Sequence, residues 1–255
     1  MLRILVLFFI MMAILLNHLS QFAVSASAAE ISNELVDAAE LSDIDRVEDL
    51  LNQGVSIDTA NEDGWTALMK AVYEGHADLV QLLIVRGADV NVQENAGWTA
   101  LMMASQFGYT PIVRKLMAVG AKSNLKNNTG ATALMFAAIN GQDGVIRDLL
   151  TAGAEVNAGD NQGKTALMYA ASNGYPLAVQ TLIDLGADVK TQDYSGNTAL
   201  ILATKQRKPD IVKVLLENCA NTKARDFEGK NALMWAREKK DAQIIKLLKN
   251  AKPCE

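Results

Sequence analysis

The chain has 255 residues, half of them apolar and about a fifth charged, with a formal net charge of −5. That acidic balance argues against a nucleic-acid partner, because phosphate binding needs a concentrated excess of Lys and Arg. Six Phe, five Tyr and three Trp are too few for an aromatic-rich core, so Leu, Ala, Val, Ile and Met must do the packing.

Residues 1–28 read as an export signal. Arg3 precedes an apolar run from Ile4 to Leu16, and Ala26-Ser27-Ala28 places small residues ahead of a cut after Ala28. Cleavage after Ala26 or Ala29 fits the same rule. The alternative is an uncleaved anchor, but Asn17, His18, Ser20 and Gln21 interrupt the ~20 apolar residues that a spanning helix wants. The expectation is a periplasmic or secreted protein with no membrane contact once the signal is removed.

Beyond the signal, one word returns. Gly64, Gly97, Gly130, Gly163, Gly196 and Gly229 follow each other at 33 residues and open "GWTALMKA", "GWTALMMA", "GATALMFA", "GKTALMYA", "GNTALILA" and "GKNALMWA". Thr66, Thr99, Thr132, Thr165 and Thr198 precede short apolar-periodic runs, where a hydroxyl can cap free N–H groups. Gly75 and its counterparts stop this first helix in the left-handed conformation. A second helix follows, as at 78–86 with Leu79, Val80, Leu82 and Leu83, and "RGADVN"-type words turn the chain back. Neither helix reaches the ~12–15 residues needed for independent stability, so each pair must lean on its neighbours.

The pattern resembles the ankyrin repeat, a 33-residue unit with a T-P-L-H-x-A core; here Ala stands for the proline and Met or Ile for the histidine. The resemblance implies an all-α solenoid of stacked helix-turn-helix units with short β-hairpin-like loops. It also implies a groove of loop tips and first helices that holds other proteins. Residues 29–61 form an N-terminal capping repeat, with "SNELVDAAELSD" in place of the first helix. Five repeats occupy 62–224, and 225–255 hold a truncated C-terminal cap and tail.

Departures from the repeat are the places where individual function could sit. Arg207 replaces a first-helix stop glycine, and Cys219 replaces the glycine of "LGAD". A β-carbon in the left-handed region costs about 1–2 kcal/mol, and a disulfide from Cys219 to Cys254 would compensate by clamping the C-terminal cap. The alternative is two free thiols. With His76 as the one histidine beyond the signal, no zinc set and no Ser-His-Asp arrangement is expected. Asp63, Asp89, Asp160, Asp188 and Asp226 sit at turn positions rather than in a calcium array. No phosphate-binding glycine loop follows a strand. The expectation is therefore a protein that is not an enzyme and needs no cofactor or metal.

On the groove side of two adjacent repeats the pattern places Trp65, Tyr73, Trp98 and Phe107, with Ile139 extending the patch. Interfaces favour Trp and Tyr as anchors, so these five are the candidate partner-binding residues. The competing reading is that the Trp side chains merely pack on neighbouring hairpins. Charge is divided as well: residues 30–125 carry 15 acidic and 6 basic side chains, net −9, and 126–255 carry 14 and 17, net +3. The reading as a whole is a monomer that holds an unidentified protein partner as scaffold, protector or inhibitor. A secreted effector or toxin-neutralising protein is the alternative.

Overall fold

The computed structural model describes residues 33–251. They form helix pairs in single file. α1 (33–40) and α2 (Ile44–Asn52) make the first pair. Then come α3 (Ala67–Glu74) with α4 (Ala77–Val85), α5 (Ala100–Phe107) with α6 (Thr110–Ala118), and α7 (Ala133–Ile139) with α8 (Asp143–Thr151). The remaining pairs are α9 (Ala166–Asn173) with α10 (Pro176–Asp184), α11 (Ala199–Lys205) with α12 (Pro209–Glu217), and α13 (Ala232–Glu238) with α14 (Ala242–Lys249). The segment 1–28 and Cys254 lie outside the described residues. Among the described residues no helix is long and apolar enough to cross a membrane.

The odd-numbered helices from α3 to α13 touch in order, as do the even-numbered helices from α4 to α14, giving two layers. One hydrophobic cluster runs through them from Leu35 to Leu248. Each first helix spans only seven or eight residues, and its buried positions explain the close layer. Ala71, Ala104, Ala137, Ala170, Ala203 and Ala236 are all fully buried, and so small a side chain lets neighbouring helices approach. Met69, Met102, Met135 and Met168, which stand where the ankyrin motif has histidine, form a buried apolar column instead of a polar net. Met234 of the last described pair is 41% exposed.

The caps follow the sequence with one exception. Thr66, Thr99, Thr132 and Thr198 accept the N–H three residues on, and Asn231 does so for α13. Thr165 shares their extended backbone but makes no such bond, and nothing in the structure explains the difference. Pro111, Pro176 and Pro209 stand in the first turn of second helices, where a missing N–H costs little.

The left-handed stops keep their register even where glycine is absent. Ser42, Arg207 and Lys240 have φ of 56°, 55° and 53° in line with Gly75, Gly108, Gly141 and Gly174, and Cys219 has φ 62°. Arg207 gains a partial return: its guanidinium donates to the Lys239 carbonyl at 2.9 Å and lies 3.7 Å from Asp241. Cys219 is held in a disulfide; Cys254, which the sequence pairs with it, is outside the described residues.

Candidate functional site

The hairpins between units form one edge of the stack, and a single side chain organises each of them. Asn61, Glu94, Asn127, Asp160, Asp193 and Asp226 accept backbone N–H groups two and four residues ahead. The motif is 33-periodic and accounts for Asp160 and Asp226 as turn residues. Asp89 and Asp188 do the same for the N–H two residues on. Asp63 does not; its place in the turn is held by Asn61. Among the described residues no three His, Cys, Asp or Glu side chains are grouped to hold a metal.

Successive hairpins are then stitched together. The backbone N–H groups of Asn95, Asn128, Asn161, Tyr194 and Phe227 donate to carbonyls of the preceding hairpin. The side-chain amides of Asn95, Asn128 and Asn161 add a second bond to the same neighbour. These asparagines occupy positions that vary between repeats, yet their role is to hold units together. His76 is structural in the same way, its Nε2 lying 2.8 Å from the carbonyl of Glu40 in the preceding pair.

On this hairpin face the fold brings together four of the five predicted anchors. Trp65, Tyr73, Trp98 and Phe107 surround a cavity of about 290 Å³, with Glu94 and Met103 also in its wall. Tyr73 meets Trp65 edge-on at 5.3 Å and Phe107 edge-on at 5.2 Å, so the rings form a continuous chain across two units. Edge-to-face contacts of this kind are worth about 0.5–1.5 kcal/mol beyond burial. Tyr73 is 43% exposed and Phe107 37%. Trp65 and Trp98 are half-buried against the core and also line the cavity. Each Trp thus packs on the stack with part of its surface and presents another part to the cavity. Ile139 is not in the cavity; it packs against the core from the end of α7.

A column not singled out from the sequence lies on the same face. Lys70, Met103, Phe136, Tyr169, Leu202 and Trp235 are the variable letter between "ALM" or "ALI" and the closing Ala of the repeated word. Phe136 stacks on Trp98 at 4.0 Å between centroids. Lys70 lies 5.6 Å from the Trp65 ring and 5.7 Å from Tyr73, and pairs with Glu40 and Glu74. Burial pulls its ammonium down, but the Glu40 bond and the two carboxylate charges outweigh this and raise it above its ordinary value.

The other end of the face is polar. Trp235 is sandwiched by Lys205 and Lys230, whose ammonium groups lie 4.3 and 4.1 Å from its ring centroid. Its indole N–H donates to Asp226 at 2.7 Å, and Lys205 pairs with the same carboxylate at 2.8 Å. This cluster satisfies itself, whereas the aromatic cavity is left open.

Comparison with known proteins follows the same lines. The sequence profile described as ankyrin repeats (three copies) matches residues 35–127, 110–193 and 186–255. The fold is similar to the crystal structure of the human ASB11 ankyrin repeat domain, with a TM-score of 0.76 and 25% identity over 87% of this chain and 98% of that one. No curated protein matches the chain. Ankyrin repeats are in general modules of protein–protein interaction, and this chain belongs to the ankyrin repeat family.

Proposed function

We propose that the chain is a non-catalytic protein-binding module that docks a partner protein on its hairpin face after export to the periplasm. The observation that carries this reading is the convergence of Trp65, Tyr73, Trp98 and Phe107 on one open cavity, in a chain with only three Trp. Exposed aromatic anchors are the usual source of interface energy. A stack whose rings already touch loses little ordering entropy on binding. The protein works as a monomer and acts by shape, as scaffold, protector or inhibitor of what it holds.

The location rests on the leader at 1–28. Cell fractionation and the intact mass of the unreduced protein test it together. The expected result is a periplasmic chain that begins after Ala28 and is two hydrogens lighter than the dithiol form, as a Cys219–Cys254 bridge requires. Docking is tested by affinity capture beside a Trp65→Ala/Trp98→Ala variant; the variant is expected to lose a partner that the wild type retains. Equal recovery would remove the aromatic face from the proposal.

A further inference from the structure

We propose that the aromatic cavity receives a cationic side chain, arginine or lysine, from a basic segment of the partner; this rests on the docking reading above and names its chemistry. The cavity is walled by Trp65, Tyr73, Trp98 and Phe107, and Glu94 is the one acidic side chain that lines it. Aromatic faces carry negative charge density and attract a cation within about 6 Å of the centroid. A carboxylate beside them adds to that attraction. Glu94 is fixed in place because its two oxygens accept the N–H groups of Ala96 at 2.9 Å and Trp98 at 2.7 Å.

The chain itself uses this chemistry at several rings, whereas Trp98 and Phe107 each stack on another ring, Phe136 and Tyr109. Lys70 covers Trp65 and Tyr73 from the side of the preceding pair, tied to Glu40. Lys205 and Lys230 cover Trp235. Among the described residues no cation lies over Trp98 or Phe107. The surroundings favour the same occupant, for residues 30–125 hold 15 acidic and 6 basic side chains, and a field of that sign steers a basic segment to this end. The cavity volume of about 290 Å³ falls just below the ~300–1,000 Å³ of small-molecule pockets and suits one inserted side chain. An aliphatic side chain would instead cover the Glu94 charge with only the N–H groups of Ala96 and Trp98 to answer it, at a desolvation cost.

The test uses acetylated, amidated Gly-Gly-X-Gly-Gly peptides with X as arginine, lysine, citrulline or leucine, titrated into the mature protein while the indole N–H signals of Trp65 and Trp98 are followed by NMR. Citrulline keeps the shape of arginine and removes its charge. The arginine and lysine peptides are expected to shift both indole signals and to bind at least about fivefold tighter than citrulline or leucine. Glu94→Gln is expected to abolish most of that preference and Glu94→Asp to keep it, with circular dichroism checking that each variant folds. Leucine binding as tightly as arginine would overturn the cation assignment while leaving the docking reading standing. Absence of any shift with the arginine peptide would overturn it too, and the capture experiment would then judge docking alone.

Discussion

Tyr169 donates its hydroxyl hydrogen to Asp160 Oδ2 at 2.5 Å, while Oδ1 of the same carboxylate accepts the N–H groups of Gln162 and Lys164. The second oxygen of each hairpin aspartate finds a donor: Trp235 and Lys205 serve Asp226, and Asn197 serves Asp193. Where the ring has no polar hydrogen, as with Phe136, the hairpin residue is Asn127. Burial, the bond to Asp160 and the charge of Asp160 raise the Tyr169 hydroxyl well above its ordinary range, so it remains a donor at neutral pH.

The pairing predicts a double-mutant cycle. Tyr169→Phe should cost about 1.5–3 kcal/mol, the value of a hydrogen bond to a charged group. Adding Asp160→Asn should recover part of the loss, because it recreates the Asn127–Phe136 combination of the preceding unit. Urea unfolding of the four proteins measures the coupling; additive losses would show that the two residues act independently.

Asp226 sets a pH dependence. Burial opposes its ionisation, but hydrogen bonds from Lys205, Trp235 and the Lys230 backbone outweigh burial and hold it below the usual 3.8. A carboxyl depressed in the folded state stabilises fully above its unfolded value and loses that contribution as pH falls through the folded value. Asp226→Asn should therefore cost about 2–3 kcal/mol at pH 7. The gap to wild type should close progressively below pH 3.8, as read by thermal melts across that range.

Asn91, Asn124 and Asn157 form rungs between loops, each accepting an N–H and donating to a glycine carbonyl of the next unit. Lys190 occupies the following rung position, next to the unit in which Cys219 replaces glycine. Asn91→Ala should cost about 1 kcal/mol, whereas Lys190→Ala should change stability by less than about 0.5 kcal/mol. Chemical denaturation of both variants tests whether the rung or the mere loop position matters.

Lys240 is exposed and left-handed at φ 53°. Glycine there should raise stability by roughly 0.5–1 kcal/mol, since relief of strain exceeds the added chain entropy. A melting temperature unchanged or lowered by Lys240→Gly would show that the Lys side chain contributes contacts of its own.

Most of the fold was legible because the repeat states it six times over. Glycine spacing located the left-handed stops, and the register singled out Arg207 and Cys219 in the same conformation without glycine; Ser42 and Lys240 share it but were not singled out. Four of the five candidate residues line one cavity, as their place in the 33-residue frame implied. Ile139 does not, because from the end of α7 it packs against the core. Phe136, Tyr169 and Trp235 were missed because they sit inside an apolar word and pass for packing. The signal was present nonetheless: the one letter that varies within an otherwise fixed word. The asparagine ladders were not legible, because a bond to the next unit leaves no mark in the sequence of either one.

The central claim is that a partner sits on the hairpin face at the aromatic cavity, and site-specific photo-crosslinking in cells tests it most directly. A benzophenone side chain at Gln106, in the cavity wall, should trap a partner protein in a discrete band. The same group at Val85, 71% exposed on a second helix, should not. A band from Val85 alone, or equal bands from both positions, would contradict the account.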